Sequence, residues 1–174
     1  MEVQIIKEAG YEEAITGLSL SYNTSFERAE RVANNLFDKE RGHNKFLESM
    51  MVWIDVRAKR LWWQQMDTYR VGVTKQSEST MHTILRRPFR PEDFGGSIYP
   101  ETLKRLEESR LNKDFDEVIN NLPQSYLQRR LVCTSYKVLR HIMAQRRTHK
   151  LPDWRYFIER IVAQIQHPEF LHNV

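Results

Sequence analysis

A chain of 174 residues, 40% hydrophobic and 29% charged, has the composition of a globular protein with one core, and six glycines and six prolines are too few for a disordered chain. No apolar run nears the roughly 18 residues of a membrane span, and the single Cys133 excludes an internal disulfide and suggests no cysteine-based metal site. A formal net charge of +4 and a pI near 9.2 suit arginines gathered around a small phosphorylated ligand as well as they suit nucleic acid. The acidic, short N-terminal run lacks the character of a signal peptide, so a reducing, cytoplasmic setting is expected.

Along the chain, Val3–Ile6 reads as a short strand and Tyr11 to about Leu20 as a helix. Asn23 and Thr24 are candidate caps for a second helix, whose apolar residues Phe26, Ala29, Val32, Ala33, Leu36 and Phe37 recur at spacings of three and four. Gly42 ends that segment. From Ser49 to Ala58 the residues are β-branched and aromatic and the period changes, which predicts a strand. A helix follows from Lys59, with Leu61, Trp62, Met66 and Tyr69 on one broad face. Val71–Thr83 is polar and reads as a loop, and Phe89–Ile98 as a second.

Pro100 opens a helix to about Leu111, as proline is tolerated at a first helical position. Phe115–Leu122 reads as a short helix stopped by Pro123, Tyr126–Cys133 as a strand, and Ser135 to about Arg147 as a helix. Pro152 opens the last helix, where Trp154, Phe157, Ile158, Ile161, Val162 and Ile165 form an apolar stripe. These elements predict a single α+β domain over residues 1–174, with a small antiparallel sheet packed by helices.

The six histidines show no metal-ligand spacing: His141 and His149 stand eight apart, and no His-x-x-x-His occurs. Phosphate-binding glycine motifs and the nucleophile-elbow motif are absent as well. Trp62-Trp63-Gln64-Gln65 offers either a stacking platform for bases or a flavin, or a helix that packs one indole into the core and the other against a neighbour. In the segment Val71–His82, Gly72 permits unusual backbone angles, and Lys75, Ser77, Ser79 and Thr80 can donate to phosphate oxygens; the same residues also suit a solvated loop. Arg129-Arg130 and Arg146-Arg147 can serve as forked anion or carbonyl ligands, or as solvated cations at a helix end.

In element order and in a few motif positions the chain resembles the flavin-dependent thymidylate synthases. His43-Asn-Lys-Phe-Leu-Glu-Ser49 parallels that family's early histidine and Phe-Glu-His run, and Gln64 the start of its Gln-Trp-x-Arg-His-Arg. Ser77 parallels the serine of its Asn-Glu-x-Ser loop. Leu122-Pro123, Arg146 and Trp154 parallel a later Leu-Pro, an arginine and a tryptophan; Arg146 matches without a gap from Leu-Pro, and the one inserted residue before Trp154 makes Arg147 an almost equal candidate. Asp67-Thr68-Tyr69 stands where the family carries Arg-His-Arg, with Arg70 immediately after, and Ser49, Ser79 and Ile119 replace a histidine and two arginines.

The resemblance implies chemistry at C5 of a pyrimidine deoxynucleotide such as dUMP, with FAD as hydride source and a folate one-carbon donor. Gln64, Ser77, Ser79 and Arg129 are the implied substrate ligands, and Arg146 or Arg147 the arginine facing the uracil ring. Tyr69, Arg70 and Lys75 fall at the flavin side, with Arg86 and Arg87 as further anion ligands. A homotetramer is the implied assembly. The alternative is a non-catalytic protein of the same fold that binds a nucleotide or, less favoured, nucleic acid.

Overall fold

In a computed structural model, which describes residues 1–39 and 41–171, β2 (Met51–Lys59) organises the sheet. Its alternate residues Val52, Ile54, Val56 and Ala58 are fully buried, while Met51, Trp53, Asp55, Arg57 and Lys59 are half-buried on the opposite face. That alternation is the period of a strand covered on one side. β2 lies antiparallel to β1 (Glu2–Ala9) on one flank and to β4 (Leu127–Ser135) on the other. Beyond β4 runs β3 (Val73–Ser77), which completes a four-stranded antiparallel sheet in the order β1-β2-β4-β3. The predicted loop at residues 71–83 therefore contains a strand, followed by the one-turn helix α4 (Thr80–Thr83). Its polar side chains hid the strand, because β3 is held by backbone pairing at a sheet edge and buries little.

Among the described residues, seven further helices surround the sheet: α1 (Tyr11–Tyr22), α2 (Phe26–Leu36), α3 (Arg60–Met66), α5 (Pro100–Leu111), α6 (Phe115–Asn121), α7 (Tyr136–Arg146) and α8 (Pro152–Val162). A 3-10 turn at Lys45–Glu48 leads into β2. Asn23 closes α1 in the left-handed conformation rather than opening α2, whose first turn is capped by the Ser25 hydroxyl accepting from Arg28 N. Both Asp114 and Ser135 cap α6 and α7 in the same manner.

The main core joins the buried face of the sheet to α1, α2, α3, α7 and α8. At its centre Trp62, Trp154 and Phe157 meet at ring-centroid distances of 4.7 and 5.2 Å from Trp62. A second apolar cluster, Ile84, Phe89, Phe94, Leu106, Val118, Leu122 and Tyr126, packs beneath α5 and α6. Asp93 anchors it: burial opposes ionisation of that carboxyl, but bonds from Arg87 and the Arg90 N–H hold its pKa below the usual carboxylate range. The outer edge of β1 is covered by one side chain, as Gln164 accepts from Ile5 N and donates to Val3 O, both at 3.1 Å. No helix among the described residues is long and apolar enough to cross a membrane.

Candidate functional site

A cleft of about 820 Å³ opens between the segment after α3, the 3-10 turn and one face of α7. Its size is that of a cofactor or small-ligand pocket. Tyr69, Arg70 and Gly72 form one wall, and Lys137, Val138 and His141 the other. The α7 residues recur at helical spacing, so they share a face.

Gly72 keeps the cleft open. Its φ is +71°, and a Cβ there would stand 2.9 Å from Val138 Cγ2. Thr134 Oγ1 donates to Gly72 O at 2.8 Å and pins the turn. Gly72→Ala is accordingly expected to cost about 1–3 kcal/mol in denaturant unfolding, from left-handed strain and overpacking, and to narrow this wall.

The cleft is cationic at its rim. Arg70 is exposed, Lys137 pairs with Glu48, and Arg140 lies over the Phe37 ring at 5.2 Å while donating to Phe170 O. At the cleft floor Asn44 is 1% exposed; its Nδ2 donates to Phe37 O at 3.2 Å, and its Oδ1 is buried without a hydrogen-bond partner among the described residues. An acceptor left unmet in this way is costly unless a ligand or water donates to it.

The residues singled out from sequence separate into three places. Tyr69 and Arg70 line the cleft. Arg146 lies behind it: its Nε donates to Tyr69 Oη at 2.8 Å, and its guanidinium stands 4.9 Å from the Trp154 ring. Gln145 Oε1 accepts from the same phenol at 2.9 Å, so Tyr69 is fixed from two sides. Arg147, one residue on, is exposed.

Ser77 closes β3 beside β4 and Ser79 follows it, both exposed; Gln64, in α3, is exposed as well. Their sequence neighbours Trp63 and Thr80 belong to a polar chain. Trp63 Nε1 donates to Gln128 O at 2.9 Å, Gln128 Nε2 to Thr80 Oγ1 at 2.9 Å, and Arg130 to Gln128 Oε1 at 3.1 Å. Arg130 Nη1 also reaches both oxygens of Asp67 at 3.0 Å, with its guanidinium 4.5 Å from the Trp63 ring. Lys75 completes the chain, donating to Met66 O and Tyr69 O and pairing with Asp67 at 3.2 Å. Arg129 turns to the other face of β4, bound to Asp55. Of the remaining arginines, Arg87 is held by Asp93 and Arg86 is exposed.

Trp62 and Trp63, at 0% and 1% exposure, are both core residues, so neither serves as a stacking platform. No group of histidine, cysteine and carboxylate side chains suited to a metal occurs among the described residues. The α7 wall of Lys137, Arg140 and His141 was not recognised in the sequence, although its spacing of three and four is visible there. The Asp67–Arg130 pair joins residues 63 positions apart and leaves no local signal.

The sheet and its surrounding helices match, over nearly the whole chain, the fold of solved flavin-dependent thymidylate synthases. The crystal structure of flavin-dependent thymidylate synthase ThyX from Helicobacter pylori complexed with FAD and dUMP matches with a TM-score of 0.82 at 15% identity, over 99% of each chain. A second structure of thymidylate synthase X from the same organism, with FAD and dUMP, matches with a TM-score of 0.82 at 16% identity, over 99% of this chain and 98% of that one. Identity at this level makes the likeness one of fold. The sequence matches no protein-family model and no curated protein sequence.

Proposed function

We propose that this protein is a divergent flavin-dependent thymidylate synthase-like enzyme that modifies C5 of dUMP or a close congener, with its flavin in the α7 cleft. The observation that carries the reading is the cleft itself, which combines an aromatic wall and a cationic rim on a fold whose solved neighbours hold FAD and dUMP.

The residues present fit a flavin. Tyr69, Val71, Gly72 and Val138 provide the apolar wall for a ring system. Arg70 and His141 are placed to hold a diphosphate, which Lys137 would reach by leaving Glu48. When bound and reduced, a flavin supplies a hydride, and a folate-type donor supplies the carbon. Arg146 acts on this site as the residue that positions Tyr69. Arg147, exposed at the end of α7, is the arginine free to face a uracil carbonyl and stabilise charge developing on the ring. Gln64, Ser77 and Ser79 hold the substrate, and a homo-oligomer, a tetramer by analogy with the family, brings that loop to the cleft of a neighbouring copy.

The visible spectrum of the purified protein, before and after adding FAD and dUMP, tests this. Flavin absorbance that co-elutes with the protein is expected, and Arg70→Ala should weaken uptake about tenfold, as loss of one charge-assisted contact does. Absence of uptake in the wild type sinks the enzyme reading and leaves a non-catalytic binding protein. Nucleic acid is the less favoured ligand of such a protein, because both candidate stacking indoles are buried.

A further inference from the structure

The polar chain beside Ser77 and Ser79 bears on what that end of the site accepts. Four cations border the loop, and each is already bound to a carboxylate. All three N–H groups of Lys75 are used, by Met66 O at 3.0 Å, Tyr69 O at 2.8 Å and Asp67 Oδ1 at 3.2 Å. Arg130 divides its amino groups between Asp67 and Gln128, and its Nε is enclosed. Arg129 grips Asp55 at 2.9 and 3.0 Å through Nε. Arg87 grips Asp93 at 2.6 and 2.7 Å.

Glu78, in the loop itself and exposed, raises the carboxylates to Asp55, Asp67, Asp93 and Glu78 against Lys75, Arg87, Arg129 and Arg130. The charges cancel. Most of what remains unbonded here is neutral, the exposed hydroxyls of Ser77 and Ser79 and the amide of Gln76; the open cationic N–H groups, Arg129 Nη1 and Arg87 Nε, belong to guanidinium groups already gripped by Asp55 and Asp93. Such neutral groups hydrogen-bond well to sugar hydroxyls and ring carbonyls. To reach a cation of its own chain here, a phosphate dianion would have to displace Asp67 from Arg130 and then sit beside the displaced carboxylate, and like charges at that range repel. Arg86 lies beyond α4 in the chain, outside this bonded set.

We infer that this end of the fold selects an uncharged ligand, a pyrimidine deoxynucleoside without a free 5′-phosphate, and that Asp67 is the specificity-determining residue. Asp67 sets the preference by holding Arg130 and Lys75. The inference rests on the proposed function and narrows it, within the congeners of dUMP, to the nucleoside.

Calorimetric titration of the wild type with deoxyuridine and with dUMP, both in the presence of FAD and at fixed ionic strength, tests it. Deoxyuridine should bind at least as tightly as dUMP. Asp67→Asn should shift the ratio of affinities toward dUMP about tenfold, because it frees charge-assisted donors on Arg130. A wild type that prefers dUMP tenfold or more overturns the inference, and so does a folded Asp67→Asn variant with an unchanged ratio. A dUMP preference that Arg86→Ala abolishes places the phosphate on Arg86 and overturns it equally. Should Asp67→Asn fail to fold, the wild-type ratio decides alone. Binding of neither ligand, with FAD also refused, is a different failure: it removes the proposed function.

Discussion

Trp154→Ala is expected to destabilise the protein by roughly 3–5 kcal/mol, the range for deleting a fully buried tryptophan, and to lower Tm by roughly 10 °C. Three losses coincide at this position. The ring is 0% exposed and touches Trp62 and Phe157, so its removal leaves a cavity lined by the largest side chains of the core. Its Nε1 donates to Gln65 Oε1 at 2.6 Å, and that amide would lose its partner in α3. Arg146 lies over the ring at 4.9 Å and would lose the surface that orients it toward Tyr69. Trp154→Phe keeps most of the apolar volume and forfeits the hydrogen bond, so it should cost about 1–2 kcal/mol. Thermal denaturation of both variants gives the order. At a temperature where both remain folded, ligand uptake in the cleft should fall further for Trp154→Ala, since only that variant removes the support behind Tyr69. Equal Tm values for the two would contradict this account of the core.

The elements legible in the sequence are those whose burial has a local period. α2 and α8 carry apolar stripes, and β2 alternates between a fully buried face and a half-buried one. β3 escaped because only Val73 and Lys75 are even half-buried, and its order comes from backbone bonds to β4, more than fifty residues away. The site divides along the same line. Tyr69 and Arg70 could be placed at a cleft from their position after the α3 segment, which the family resemblance marks. The opposite wall could not, because nothing local in Lys137 or His141 says what α7 faces. Asp67 is the instructive case. Its replacement of an arginine was visible, but the compensation lies in Arg130 and Lys75, and only the paired strands bring all three together. A charge reversal reads as a lost ligand in one dimension and as a satisfied ion-pair network in three.

Gly10→Ala is expected to cost roughly 2–5 kcal/mol, combining left-handed backbone strain with a steric clash that cannot relax through a side chain. Gly10 joins β1 to α1 with φ at +92°, and its carbonyl accepts the Ala14 N–H that starts the helix. A Cβ at this point would lie 2.1 Å from Ser49 O and 3.2 Å from the Ser49 carbonyl carbon, both backbone atoms. Relief therefore requires the β1–α1 junction or the entry to β2 to shift. The second route moves the cleft, because Glu48, next to Ser49, lines it and pairs with Lys137 on α7. It also disturbs Met50, whose carbonyl accepts the first N–H of α7 at 2.8 Å. Denaturant unfolding of Gly10→Ala should show a lower midpoint with an unchanged slope. Gly17→Ala is the matching control: Gly17 lies inside α1, and a Cβ there would meet nothing within 4 Å, so alanine should stabilise by up to about 1 kcal/mol. If Gly10→Ala proves as stable as Gly17→Ala, the close approach of these two backbones does not hold the cleft wall in place.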